Sequence, residues 1–462
     1  MCILKYLLFC CVICISCSHA SLHQKQLMHA LDFSAANSKE LEKVLKHYEH
    51  DSLKLEAAKF LIRNMPHCYS YQQGGEMDSV KRVRTYYSPF GQIDQTYARR
   101  WGHYTYRNLL KIYDAHIITA EYLIDNIDRA FDNWQKRPWN RSLSFEDFCE
   151  YLLPYRIGDE PLEEWRELYE KKYGYLLDSI YKGSDVVEAA NLVSRHLQEP
   201  VFIYCEDFEL PHIGPRYLFS HRYGSCVDAA DIVTYAFRAV GIPCMEDTDA
   251  RGGHVWNVVR DTTGRDVPIW YIASEAVRGS RDTGGYKRGK VYRPMYGFQE
   301  EKAAHLGDDW KSVPLLFYHP YMKDVSYAYY PDTLRILTGI PDGEVCYLAH
   351  FHEAHWWSCA CARSASGKME IPNLESELVY LPMKYTKGNY YPSGFPFWFA
   401  GGEINTFLPD WEKTVKVRLY RKYPVYGWLH SFMGHVVGGT FEGSMTKNFE
   451  DGKTLYEIAD TP

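Results

Sequence analysis

The feature that most constrains this chain is a change of hydrophobic period near residue 200. Before it, apolar residues recur at helical spacing. Leu41 and Leu45 are four apart, and Leu53, Ala57, Phe60 and Leu61 continue the stripe, with Glu42, Lys43 and Lys46 on the wet side. Asn64-Met65-Pro66 stops that segment. Phe145 to Arg156 and Glu160 to Arg166 read as two helices broken at Pro154, and Asp185 to Leu197 as another amphipathic helix. Beyond 200, one compact helix from Cys226 to Val240 precedes short β-rich runs. From about 300 onward the runs Leu334–Gly339, Val345–His350, Leu378–Leu381 and Val415–Tyr420 are strand-like, with Gly/Pro/Asp turns between them. At 462 residues, and roughly 150 per domain, the chain suggests about three units. The expectation is an α+β fold with a helical N-terminal region over 18–184, a core over 185–298 and an antiparallel β-sandwich over 299–462.

The first twenty residues, MCILKYLLFCCVICISCSHA, place Lys5 ahead of an apolar run from Tyr6 to Ile15, too short to span a bilayer as a helix. Small residues follow at Ser16, Cys17 and Ser18. The segment 1–17 resembles a bacterial lipoprotein signal, in which Cys17 is lipidated after cleavage. Ordinary signal-peptide cleavage after Ala20 is the competing reading. Both predict export, and the first predicts a membrane-anchored lipoprotein of the bacterial cell envelope. Of 13 Cys, the eight beyond Cys17 are too sparse for a disulfide scaffold. A net charge of −7, with no run of Lys or Arg longer than two, argues against a nucleic-acid partner, which needs a basic stripe. The 39 Tyr, 21 Phe and 12 Trp suit half-exposed grooves and sandwich surfaces.

The informative stretch runs from Tyr223-Gly-Ser-Cys226 to Gly241-Ile-Pro243, and then through Gly253-His254-Val-Trp256. Apolar residues at 227, 230, 233, 237 and 240 share one helical face. Gly224 and Ser225 are start signals and Gly241-Ile-Pro243 is the stop. Cys226 thus falls in the first turn, where the helix dipole favours a thiolate, the nucleophilic form. His254 opens a strand, and Asp261–Arg265 turns the chain into a partner strand from Val267 to Glu275. A hairpin centred between Gly264 and Arg265 puts Glu275 opposite His254, and one centred on Gly264 puts Ser274 there. Asp261 lies roughly 23 Å from His254 at strand rise and cannot orient it; Asp266, near the same tip, fails likewise. A lone helical Cys is usually a small core residue, and a strand His a satisfied structural one. Their order and context raise the pair to a nucleophile–base–orienter constellation.

On those residues the block from about 185 to 297 resembles the transglutaminase-like, papain-related superfamily: a Gly-x-Cys helix ending in Arg238-Ala-Val-Gly-Ile-Pro243, then His254-x-Trp256. The resemblance implies a papain/transglutaminase-like core with Cys226 as nucleophile attacking an amide carbonyl and His254 as proton carrier. The third position departs from the family pattern, an Asp shortly after a Trp. Trp270 here is followed by Tyr-Ile-Ala-Ser274-Glu275, so the third place stands between Glu275, Ser274 and no residue. The wider chain resembles bacterial envelope transglutaminase-like lipoproteins through segments such as Phe60–Pro66, Phe148–Arg156, Lys290–Arg293, Val379–Pro382 and Gly438–Gly443. That implies a peptide, protein or glycopeptide substrate and no cofactor. The alternative function is a catalytically inactive binding lipoprotein for peptide or glycan.

His350-Phe-His352-Glu-Ala-His355-Trp-Trp-Ser-Cys359-Ala-Cys361 holds the residue types of a zinc site. His350 and His352 share a strand face, as do Cys359 and Cys361; whether those faces coincide depends on the turn centre. A hairpin with packed Cys and a wet His tip is the expected reading, and no metal is assigned.

Overall fold

The computed structural model describes residues 22–88, 93–205, 208–251, 253–270, 272, 274–280, 287–300, 314–337, 339–352, 355–410, 412–413, 438–446 and 450–459. The expected signal segment, Cys17 and the strand expected at Val415–Tyr420 lie outside the described residues. The chain is α+β: of the described residues 37% are helical and 23% lie in strands. It divides into two compact units, one of Met1–Tyr286, Tyr292–His305 and His319–Ala328, the other of Lys287–Val291, Leu306–Tyr318 and Tyr329–Pro462.

Residues on both sides of position 184 belong to the first unit. Its N-terminal helices include α1 (Ser38–His47), α2 (Ser52–Asn64), α3 (Glu76–Arg84), α4 (Ala120–Lys136), α5 (Phe145–Tyr151), α6 (Arg166–Tyr175) and α7 (Val186–His196). The periodicity explains the first two: Leu41, Val44, Ala57, Leu61 and Ile62 are fully buried. Helix α7 starts at the Asp185 cap, whose carboxylate accepts from the Val187 amide at 2.8 Å. The helix expected from Glu160 begins only at Arg166. Glu160 instead bends back to accept from the amides of Ile157 and Gly158 at 2.7 and 2.8 Å, which holds 157–165 out of helical geometry.

The unit is completed by β1 (Tyr69–Tyr71) paired with β2 (Lys111–Tyr113), β3 (Ile203–Tyr204), β4 (Tyr223–Gly224), helix α8 (Cys226–Ala239) and a five-stranded sheet. The sheet comprises β5 (Cys244–Asp249), β6 (Val255–Arg260), β7 (Asp266–Ile269), β8 (Val291–Pro294) and β9 (Met322–Asp324), in the order β7-β6-β5-β8-β9. Helix α8 ends at the expected stop, where the Ile242 amide reaches back to the Phe237 carbonyl at 2.9 Å. It is not amphipathic in place. Every residue from Asp228 to Ala239 is buried, so the polar side chains Asp228, Asp231, Thr234 and Arg238 must find partners inside the protein.

In the second unit, the largest sheet among the described residues comprises β11 (Val345–His352), β12 (His355–Arg363), β14 (Leu378–Thr386), β15 (Asn389–Pro392), β16 (Phe397–Ala400) and β17 (Glu403–Thr406). These six strands lie in antiparallel pairs in the order β12-β11-β14-β16-β17, with β15 on β14. Two ribbons accompany it: β10 (Leu334–Leu337) with β13 (Lys368–Ile371), and β18 (Thr440–Gly443) with β19 (Lys453–Glu457).

Candidate active site

Cys226 occupies the first position of α8, and the local sequence dictates how that turn is built. The carboxylate of Asp228, two residues on, accepts from the Ser225 amide at 2.8 Å and the Ser225 hydroxyl at 3.2 Å. A Cβ on Gly224 would lie 2.3 Å from that carboxylate, so only glycine fits before the cap. Arg84 of α3 clamps Asp228 from outside the helix, Nη1 to Oδ2 at 3.0 Å, and also donates to the Phe208 carbonyl. Parallel pairing of β3 with β4, with the Cys205 amide on the Gly224 carbonyl at 2.9 Å, brings Tyr204 beside the helix start. The eight described cysteines beyond Cys17 are all free thiols, so no bond joins Cys226 to Cys244. Burial pushes the Cys68 and Cys244 thiols up to about 12, whereas Cys226 is only half-buried.

His254 is delivered by the β5–β6 hairpin. Asp249 stands across from it, its amide on the His254 carbonyl at 3.4 Å, and Thr248 Oγ1 donates to the same carbonyl at 3.0 Å. The Asp249 carboxylate organises the intervening loop, accepting from the amides of Arg251 and Gly253 at 3.0 and 2.9 Å and from the Arg251 guanidinium at 3.0 Å. The imidazole lies 5.8 Å from the Trp256 ring at an interplanar angle of 27°, and Trp256 in turn lies 5.3 Å from Trp270.

Cys226 and His254 line one pocket, whose wall also includes Tyr204, Ala230, Trp256, Asn257, Trp270 and Ile272. The two residues that the sequence separates by a helix and a strand therefore meet at one opening.

Glu275 is not brought there. In the β6–β7 hairpin Asn257 pairs with Ile269 and Arg260 with Asp266. Continuing that register puts Ile272, not Glu275 or Ser274, level with His254. The turn is centred on Thr263 because the Asp261 carboxylate accepts from the Thr263 amide, the Thr263 hydroxyl and the Arg265 amide at 2.8, 2.6 and 3.0 Å. Gly264 follows at φ +79°, the left-handed residue that closes a three-residue hairpin loop. Glu275 instead meets Arg195 of α7 at 2.8 Å with its side chain 56% exposed, and the Ser274 carbonyl accepts from Ser194 Oγ at 2.8 Å. Tyr204, Asp249 and Asn257, which the sequence reading does not single out, are the side chains that the structure adds around the pocket and its loop.

The His/Cys cluster of the second unit is split by a bulge. Between Leu348 and Ala349 the β11–β12 register shifts by one residue, at Cys359. Cys359 and His350 are both fully buried and close on Gly289, where a Cβ would lie 2.9 Å from the sulfur and 3.0 Å from Nδ1. Cys361 pairs with Tyr347, on the face opposite His350. Among the described residues no group of three or more His, Cys, Asp or Glu is arranged to hold a metal ion.

No protein-family model, no curated protein and no solved structure matches the chain. No described helix is long and apolar enough to cross a membrane.

Proposed function

We propose that the protein is a cysteine-dependent amide acyl-transfer enzyme of the transglutaminase-like, papain-related kind, with Cys226 as nucleophile and His254 as proton carrier. The observation that carries the reading is the convergence of a half-buried thiol at a helix start and an imidazole at a strand start on one pocket. The positive end of α8 favours the thiolate. The sulfur attacks the carbonyl carbon of a peptide, protein or glycopeptide amide, forming a C–S bond. The C–N bond then breaks, and the imidazolium gives its proton to the departing amine. Water, deprotonated by His254, cleaves the thioester in hydrolysis; a lysine amine in its place completes a transfer. The Cys226 amide at the helix start supplies one donor to the developing oxyanion. Tyr204, paired with Gly224 just before the helix start and lining the pocket, is our assignment for the second, through its hydroxyl. In the same reading the first unit contains the papain-like core, the second is a β-sandwich, and the chain is an exported, lipid-anchored envelope protein.

A second reading has its own support. With Glu275 held by Arg195, neither residue expected as orienter stands level with His254. Tyr204, Trp256 and Trp270 around the pocket would equally line a slot that binds peptide or glycan without reaction. Rates of iodoacetamide alkylation, assigned to Cys226 by peptide mapping and followed against pH, separate the two. The enzyme reading expects a thiol titrating at least one unit below an ordinary cysteine and returning to normal in His254→Ala. An ordinary profile in both proteins leaves the binding lipoprotein.

A further inference from the structure

At the pocket wall and behind it, three buried polar side chains tie the helix of Cys226 to the sheet strands β5 and β6, and the chemistry above makes no use of them. Asn257 and Glu246 are directly paired across β6 and β5. Directly opposed residues project from the same face of a sheet, and this pair points at α8. Asn257 Nδ2 donates to the Ala230 carbonyl at 3.0 Å and to Thr234 Oγ1 at 2.9 Å. The Thr234 hydroxyl donates in turn to Glu246 Oε1 at 2.7 Å. Ala230 and Thr234 lie one and two turns beyond Cys226 on the helix, so two cross-strand partners grip α8 at consecutive turns.

We propose that Asn257, Thr234 and Glu246 form a positioning clasp that sets the rotation and advance of α8 against β6, and through them the placement of the Cys226 sulfur relative to the His254 imidazole. The inference rests on the acyl-transfer reading. Its physical basis is that small aliphatic side chains of α8 such as Ala229, Ala230 and Val233 pack non-directionally, while the Arg238 Nε bond to the Cys244 carbonyl at 3.1 Å grips the sheet at the far end of the helix, about three turns from Cys226. Hydrogen bonds are directional, and buried ones are costly to leave unmade. A misplacement of about 1 Å between reacting groups costs roughly a hundredfold in rate, so a clasp one turn behind the nucleophile has leverage that packing alone lacks. The clasp also holds an uncharged carboxyl at neutral pH: burial, and then the neighbouring Asp231, push Glu246 up to about 8. The charged or titratable groups around it are Asp231 and Arg238 on α8, Cys244 on β5 and His212, which itself bonds Asp231 at 2.9 Å.

The test uses the full chain and the pH-dependent alkylation of Cys226. Thr234→Val keeps the volume and removes the hydroxyl; Thr234→Ser restores it. We expect Thr234→Val to slow alkylation at pH 7 at least tenfold with circular dichroism unchanged, Thr234→Ser to stay within twofold of wild type, and Glu246→Gln to match wild type below pH 8. Wild-type rates in Thr234→Val, alongside a slowed His254→Ala, overturn the clasp and leave the active-site reading standing. Rates unchanged in both overturn the active-site reading and the clasp with it. Should Thr234→Val not fold, Asn257→Ser, too short to reach Ala230, is read against the same thresholds.

Discussion

Arg84 and Asp228, 144 residues apart in sequence, form an ion pair of 3.0 Å in which the side chains are 3% and 4% exposed. The same carboxylate holds the Ser225 amide and hydroxyl, so the pair fixes the turn that presents Cys226. Removing one partner of a buried pair strands the other charge, which costs about 3–5 kcal/mol. Arg84→Met should therefore lower the unfolding free energy by about that amount in urea. Adding Asp228→Asn should recover part of the loss. A single-mutant cost under about 1 kcal/mol would show that the pair does not govern the turn.

Stability should depend on Glu246 over a defined pH window. Its folded pKa, about 8, lies above the ordinary carboxyl value of 4.5, so the folded protein binds this proton more tightly than the unfolded chain. The contribution is complete below about pH 4.5 and is lost as pH rises through about 8. Glu246→Gln, which keeps an acceptor for Thr234 and cannot ionise, should be more stable than wild type at pH 7.5, by at most about 4 kcal/mol, and within about 0.5 kcal/mol of it at pH 4.5. Parallel urea titrations at the two pH values measure the difference.

Glu275→Ala should be nearly silent. The residue makes a solvent-exposed pair with Arg195, and such pairs are worth about 0–1 kcal/mol. Thermal unfolding should shift by no more than that equivalent, and alkylation of Cys226 should stay within twofold of wild type. A tenfold slowing would restore Glu275 as a partner of His254.

Asp249→Ala should loosen the loop that delivers His254. The carboxylate accepts three hydrogen bonds within 249–253, two of them from the amides of Arg251 and Gly253. Native-state hydrogen exchange should speed at least tenfold at those two amides while the β6 core at Val258 keeps its protection. Equal exchange in both proteins would place the loop's order elsewhere.

Much of the frame was legible along the chain. The spacing that put helices at Leu41 and Leu53 and from Asp185 matches α1, α2 and α7, and the Gly-Ser-Cys start and Gly-Ile-Pro stop bracket α8. The pairing around His254 was not legible, because a hairpin's register follows its turn, and here the Asp261 side chain shifts the turn centre by one and a half residues. The inner character of α8 was hidden as well. Its apolar face is evident in the sequence, but Asp231, Thr234 and Arg238 look solvated until His212, Glu246 and the Cys244 carbonyl are found against them. The same limit applies to Cys359, which a one-residue bulge parts from Cys361, its partner by spacing, and sets beside His350 against Gly289.

By itself the sequence determined the α+β character, the first-turn position of Cys226 and the strand-start position of His254, because periodicity, caps and breakers act over a few residues. Only the tertiary structure decided that these two side chains share a pocket, that Glu275 belongs to Arg195, and that Asn257 and Glu246 grip the helix from the sheet. Those outcomes depend on ladder register and on which polar groups must be satisfied once burial is complete, and both are set by contacts between segments far apart in the chain.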